Sequence, residues 1–274
     1  FAVEKILKEY GDEAEKLLAF DKEYTYLRFT NNESGERYLD ERGMKFEKTP
    51  FDGLFSVPNA KMDEGFFDGG YTFQSIGSVA ICSTLSGGKK LLDACAAPGG
   101  KSVLLADKYE CVTACELHEH RAELIKAYAE RTGKKNIEVF VKDSTVFDPD
   151  FKDRFDAVLC DAPCSGYGTI KQNPDIKLKK NDENLKELTA IQLKILLNVS
   201  SYVKCGGELV YSTCSVFKEE NDDIIEKFLA KKKNFEVEKI DCPLDGIKKI
   251  YGLQFLPELS LGAGFYVCKL KRIK

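Results

Sequence analysis

The chain has 274 residues, 43% of them hydrophobic and 31% charged, with a net charge of −4 and a pI near 5.5. These are the values of a globular protein long enough for an α/β core and a small accessory unit, and they exclude a polycationic nucleic-acid binder. Any RNA contact has to come from a local basic face. No apolar run approaches the roughly 20 residues that span a membrane, and no signal peptide opens the chain, so a cytoplasmic protein without membrane association is expected. The first residue is Phe1 rather than Met, which leads us to expect a region upstream.

In chain order, apolar spacing at Ile6, Leu7, Tyr10, Ala14, Leu17 and Leu18 predicts helix. A strand over residues 24–29, a polar helix over 34–41 and Pro/Gly-punctuated segments over 49–58 follow. Residues 1–66 thus read as a small α+β domain, and residues 67–274 as a larger one. The larger part opens with a helix over 74–85, stopped at Ser86-Gly87-Gly88. Apolar strands over 90–95, 110–115, 137–142, 155–160 and 208–211 alternate with helices over 101–108, 118–132, 184–203 and 219–230. In the second of these helices Ala122, Ile125, Tyr128 and Ala129 form one apolar face before Gly133. Such alternation predicts a parallel sheet covered on both faces. Two last strands, over 235–240 and 265–270, have no helix between them and fit a hairpin closing the sheet edge.

Ten cysteines stand at 82, 95, 111, 115, 160, 164, 205, 214, 242 and 268. A secreted disulfide scaffold is shorter and richer in loops, so free thiols in a reducing compartment are expected, most of them as small core residues. Cys111, Cys115, His118 and His120 lie close together, but no C-x-x-C pair exists and both cysteines fall in one strand; no metal site is expected. With only those two histidines, both at one helix start, a Ser-His-Asp hydrolase is disfavoured.

Ligands of an open parallel sheet bind outside the carboxyl ends of its strands. There Leu91-Leu92-Asp93-Ala94-Cys95-Ala96-Ala97-Pro98-Gly99-Gly100-Lys101-Ser102 runs from strand through a glycine loop into helix. Glu116 ends the second strand, Asp143 the third and Asp161 the fourth. A carboxylate after the second strand suits ribose hydroxyls, and Asp143 then suits an adenine edge. Acidic residues are also common turn formers and helix caps, but their joint pattern favours a nucleoside cofactor. Lys101-Ser102 mimics the end of a phosphate loop, yet position 96 is Ala where that motif needs Gly, which weakens a nucleoside triphosphatase reading.

Asp93-Ala94-Cys95-Ala96-Ala97-Pro98-Gly99-Gly100-Lys101-Ser102, Asp161-Ala162-Pro163-Cys164-Ser165-Gly166 and Tyr211-Ser212-Thr213-Cys214-Ser215 resemble, in order, the signature motifs of the Sun family of RNA cytosine-5 methyltransferases. Phe67-Asp68-Gly69-Gly70-Tyr71-Thr72-Phe73-Gln74 and Leu27-Arg28-Phe29-Thr30-Asn31 resemble its pre-catalytic segments. Within the family the chain is most similar to the bacterial branch that acts on 16S ribosomal RNA, without that branch's extra N-terminal helical domain. The resemblance implies a Rossmann-like class I methyltransferase sheet beside the small domain. It implies S-adenosylmethionine as cofactor, held by Cys95, Ala96, Ala97, Pro98, Gly99, Gly100, Lys101, Glu116, Asp143 and Asp161. It implies an RNA substrate, ribosomal before transfer RNA, for a monomer without metal. An amino-group methyltransferase would need Asp/Asn-Pro-Pro-aromatic at 161–164, and a non-catalytic RNA-binding assembly factor has no need of both cysteines.

Cytosine C5 is too weak a nucleophile to take a methyl group unaided, and a thiolate adding at C6 makes it an enamine. Asp161 beside the ring suits N3 and the exocyclic amine. Cys164 and Cys214 are the candidate nucleophiles, and spacing leaves the choice open; a buried inert thiol is the commoner fate of either alone. The resemblance implies that Cys214 attacks while Cys164 assists product release. Pro163 and Gly166 shape the loop. Lys171, Lys177, Lys179, Lys180 and Arg28 read equally as phosphate contacts or as solvated charges. The chain departs from the family at Gly262-Ala263-Gly264, where an aspartate is usual.

Overall fold

The computed structural model describes residues 2–20, 22, 24–169, 182–262 and 264–274. Helices α1 (Ala2–Tyr10) and α2 (Glu13–Ala19) come first. Their apolar face does not serve a small domain of its own. Ile6, Ala14 and Leu17 pack with Tyr167, Leu185, Val216, Phe217 and Leu256 from the second half of the chain.

A small antiparallel sheet contains β1 (Tyr26–Arg28), β2 (Glu47–Lys48), β3 (Leu54–Ser56) and β4 (Thr72–Phe73), in the order β2-β3-β1-β4. Helix α3 (Asn32–Glu41) covers it, started by the Asn31 side chain accepting from the Ser34 N–H at 2.9 Å. Leu27, Phe29, Leu39, Phe55, Val57 and Tyr71 form its core. The boundary expected at residue 66 needs correction, because β4 lies beyond it and pairs Phe73 with Leu27. A short helix α4 (Glu64–Phe67) bridges the interval.

Helix α5 (Ile76–Ser83) leads into an alternating series: β5 (Gly88–Asp93), α6 (Gly100–Leu105), β6 (Tyr109–Glu116), α7 (Glu119–Arg131), β7 (Ile137–Val141), β8 (Phe155–Asp161), α8 (Asp182–Val199), β9 (Val203–Thr213) and α9 (Asp222–Lys231). Strands β5 to β9 run parallel in the order β7-β6-β5-β8-β9. Successive residues serve opposite faces, as strand geometry requires. Leu91 joins the core with Leu104 and Leu105, while Leu92 joins the core with Leu196 and Ile224. The chain reverses its direction of winding between β5 and β8, so their carboxyl ends flank an open crevice.

The tail adds β10 (Phe235–Glu238), β11 (Ile247–Lys248), β12 (Leu253–Phe255) and β13 (Phe265–Arg272), with β13 antiparallel to β9. β10 and β13 do pair, Phe235 opposite Arg272, but the simple hairpin is corrected: β11 and β12 lie between them in the chain and extend the same edge. The helix expected to reach 203 stops at Val199, because Val203 already faces Phe155 in the β8–β9 ladder. Among the described residues no helix is long and apolar enough to cross a membrane.

Candidate active site

The crevice is floored by the β5–α6 loop. Two backbone bonds lock it, Ala96 N–H to Cys115 O at 2.9 Å and Gly99 N–H to Ala96 O at 2.8 Å, and the Ala97–Pro98 peptide is cis. Gly99 sits at φ +107, where a Cβ would come 3.2 Å from the Ile125 backbone. Beneath the loop Asp93 is buried, its Oδ2 accepting from Ser102 Oγ at 2.6 Å; its Oδ1 has no partner among the described residues. Burial pushes its carboxyl up to about 6.

Glu116, at 5% exposure, accepts on Oε1 from the His118 N–H at 3.1 Å and from Arg121 at 3.4 Å. Asp143 Oδ1 accepts from the Thr145 N–H at 2.8 Å, and that bond holds its carboxyl below the ordinary range. Both line a cavity of about 350 Å³, together with Cys95, Ala97, Asp161 and the apolar Leu117, Ile191 and Ile195. A second cavity of about 160 Å³ lies under the loop at Asp93, Ala96, Pro98, Gly100 and Lys101, and shares Cys95, Ala97 and Asp161 with the first. Gly99 lines neither. It shapes the loop against Ile125.

Strands β8 and β9 are neighbours with Asp161 opposite Ser212, so the loops leaving them start side by side. Cys164 and Cys214 consequently meet with their Sγ atoms 3.0 Å apart, and the Cys214 N–H donates to Cys164 Sγ at 3.2 Å. The pair is unequal. Donation from Cys164 holds the Cys214 thiol below its ordinary range, although burial and Asp161 oppose this; the same bond and burial push Cys164 well above it. Asp161 accepts from Ser212 Oγ at 2.7 Å and from the Lys101 ammonium at 2.7 Å. Burial disfavours the Lys101 charge, but the Asp161 carboxylate outweighs it and raises the ammonium above its ordinary range.

Lys101 lines the small loop cavity but not the 350 Å³ one, and its ammonium pairs with Asp161. With Asp161 and Cys214 it also lines a third cavity of about 260 Å³, walled by Ser75, Gly264 and Phe265. Asp161 and Cys214 thus face two cavities at once.

Sequence reasoning missed the support behind the thiols. Glu220 is fully buried and accepts from the Ser165 N–H at 2.7 Å, from Gln192 Nε2 at 2.9 Å, and from the hydroxyls of Ser165 and Ser215. These serines adjoin the two cysteines. Position 220 carries little local signal, since most of its donors come from the distant segments at Ser165 and Gln192. Gly264 has a packing reason: a Cβ there would lie 2.1 Å from the Gly168 carbonyl oxygen. Arg28 proves to be a strut, 12% exposed and 3.6 Å from Asp107, rather than a free phosphate contact. Lys171, Lys177, Lys179, Lys180 and Ala263 lie outside the described residues. Among those described, no group of three or more His, Cys, Asp and Glu is placed to hold a metal.

A parallel sheet that reverses winding at a glycine loop, with carboxylates at the following strand ends, defines a Rossmann-like methyltransferase fold. The family model described as 16S rRNA methyltransferase RsmB/F matches residues 81–271, and the chain belongs to that family, as its resemblance to the Sun family implied. A probable ribosomal RNA small subunit methyltransferase B of Bacillus subtilis (strain 168) is 35% identical over 218 residues, 76% of this chain and 49% of its own length. Ribosomal RNA small subunit methyltransferase B of Escherichia coli O127:H6 is 36% identical over 213 residues, 75% and 48% respectively. The chain spans about half the length of the curated relatives it matches. Among solved structures, NSun6 of Pyrococcus horikoshii superposes with a TM-score of 0.87 at 19% identity, covering 99% of this chain and 97% of that one. A methyltransferase homologue of the same organism superposes at 0.85 with 22% identity, covering 98% and 93%. The cofactor of this family is S-adenosylmethionine, and the residues present fit it. Two connected cavities offer carboxylates and apolar walls at one end, and at the other a glycine loop over the unpartnered Asp93 Oδ1.

Proposed function

We propose that this protein is a cytosolic RNA (cytosine-5) methyltransferase acting on 16S ribosomal RNA, with Cys214 as nucleophile. The observation that carries the reading is that Asp161 and Cys214 border both the cofactor cavity and the 260 Å³ cavity, with the second thiol 3.0 Å away. In this reading Glu116 and Asp143 bind the nucleoside end of the cofactor, and Cys95 to Lys101 with Asp93 bind its amino-acid end. The cofactor supplies an electrophilic methyl group to C5 of the base.

The chain's own residues do the rest. Cys214, kept ionisable by donation from Cys164, forms a bond to C6, and the C5–C6 electron pair moves onto the ring. Asp161, oriented by its ion pair with Lys101, accepts from the 4-amino group and steadies the proton at N3. After methylation C5 gives up its proton to solvent, the C–H electron pair re-forms the C5–C6 double bond, and the C6–S bond breaks with its electron pair returning to sulfur. The Cys164 thiol donates to that departing sulfur.

The test separates the thiols. With labelled 16S RNA, Cys164→Ala should accumulate a protease-sensitive protein–RNA adduct on a denaturing gel, and Cys214→Ala should give neither adduct nor 5-methylcytosine. Trapping by Cys214→Ala instead would reverse the assignment, and full activity of both variants would end it. Asp161→Asn should keep cofactor binding by calorimetry while turnover falls by about 100-fold or more.

A further inference from the structure

Beside the cavity that holds Asp161 and Cys214 lies another, of about 310 Å³, whose chemistry differs. It is lined by Tyr24, Tyr26, Phe73 and Leu261, and it shares Ser75 and Gly262 with its neighbour. The two spaces are therefore contiguous, separated only by the start of α5 and the turn at Gly262. The aromatic wall is ordered. Phe20, Tyr24 and Tyr26 stand in nearly parallel array, with ring centroids 6.4 and 5.8 Å apart and interplanar angles of 11° and 10°. The array is tied to the opposite wall, since Tyr26 donates its hydroxyl proton to the Leu261 carbonyl at 2.7 Å and Gly262 closes against the Tyr24 ring. Tyr24 and Phe73 are half-buried, and Leu261 is 40% exposed, so apolar surface faces the groove.

We propose that this groove is a nucleobase subsite: it stacks the RNA base next to the target cytosine along the strand. The inference rests on the proposed function, because the neighbouring cavity has to receive the cytosine. Three features select this occupant. Single-stranded RNA is read by splayed bases stacked on aromatic rings, and every base has a face to offer. A base extruded into one cavity leaves its neighbour within one backbone step, and the groove shares Ser75 and Gly262 with that cavity. The wall is aromatic and aliphatic rather than basic, so it suits a base and not a phosphate. The small sheet then acquires a role, since β1 and the segment leading into it supply two rings that grip the strand while β8 and β9 supply the chemistry.

The experiment uses an RNA fragment that the protein methylates, with 2-aminopurine placed immediately 5′ or 3′ of the target cytosine. Stacking on tyrosine quenches this fluorophore in an equilibrium titration without turnover. Wild-type protein should quench it at one of the two positions. Tyr24→Ala should lose the quench and raise KM for RNA about 10-fold, within the range measured for losing one base–aromatic stack, with kcat little changed. Tyr24→Phe should behave as wild type, and Tyr24→Leu, which keeps volume without the aromatic face, should resemble Tyr24→Ala. Undiminished S-adenosylmethionine binding by each variant certifies the fold. Quenching at neither position, or unchanged quench and KM in Tyr24→Ala while methylation proceeds, overturns the subsite and leaves the thiol chemistry standing. Absence of 5-methylcytosine and of any Cys164→Ala adduct in the wild-type background overturns the reading of the site itself.

Discussion

Glu220 is fully buried, and four donors converge on it from Ser165, Gln192 and Ser215. Gln192 in turn donates to the Pro163 carbonyl at 2.9 Å, so one acidic side chain ties together both loops that carry the thiols. Glu220→Ala would strand these donors in the interior, and a loss of about 3–5 kcal/mol in urea unfolding is expected. The thiol pair should respond too. Donation from Cys164 keeps Cys214 ionised at a lower pH than an ordinary thiol, so alkylation of Cys214 should reach half its maximal rate at a correspondingly lower pH. In Cys164→Ala that midpoint should move upward, because the donor is gone. An unmoved midpoint would show that burial and Lys101, not the second thiol, set the reactivity of Cys214.

At the scale of elements, the register of β8 on β9 makes the site, and the approach of two glycines keeps it closed. Gly264 precedes β13 and meets Gly168 backbone to backbone, while the Gly168 N–H donates to the Cys214 carbonyl at 2.9 Å. A methyl group at 264 cannot be relieved by a rotamer change, so Gly264→Ala has to displace the chain that holds Cys214. A loss of about 1–3 kcal/mol is expected, with methylation falling much further than cofactor affinity in calorimetry. Gly133→Ala is the control: φ is +67 but nothing lies within 4 Å, so about 1–2 kcal/mol of backbone strain should leave turnover unchanged. The parallel strands were legible in the sequence because each is a largely apolar run, four of them leading to a carboxylate at or just past the end and β9 leading to Cys214, and topology alone gathers those ends. β2, β4, β11 and β12 were not, since two or three residues hold no period. The ion pair of Lys101 with Asp161 was not legible, because a loop sequence does not say which partner its side chain meets. The packing of α1 and α2 on Val216 and Phe217 was invisible for a related reason: an amphipathic face announces that it is covered, not by what.

For the whole molecule, buried and paired carboxylates pull stability in opposite directions with pH. Burial pushes Asp156 and Glu208 up, but Lys204 with the Lys90 N–H, and Lys269 with Ser86, outweigh it and leave both depressed. Asp143 is depressed by the Thr145 N–H. Their contribution is present above the unfolded carboxylate range and is lost as pH falls through the depressed native values. Asp93, raised to about 6 by burial, and Glu9, raised to about 7 by burial and Glu219, act the other way. Their contribution is complete below the unfolded range and disappears as pH rises through 6 and 7. Urea midpoints should therefore peak near about pH 5 and decline toward both pH 3 and pH 8. Glu9 lies on α1 and accepts from the Lys218 N–H at 3.0 Å, so its ionisation beside Glu219 loosens the helix pair from the thiol-bearing half. Asp93 lies under the cofactor loop with Oδ1 unpartnered among the described residues, so at pH 8 burial opposes its charge more than Ser102, Lys101 and the Cys95 N–H support it. Asp93→Asn should flatten the decline between pH 5 and pH 8 by about 1.4 kcal/mol, the free energy of the one pH unit of the shift that lies above pH 5. The same substitution should weaken S-adenosylmethionine binding more at pH 8 than at pH 5, because the cofactor's ammonium group is the partner that ionised Asp93 lacks. A pH slope identical to wild type, together with pH-independent loss of binding, would remove Asp93 from both roles.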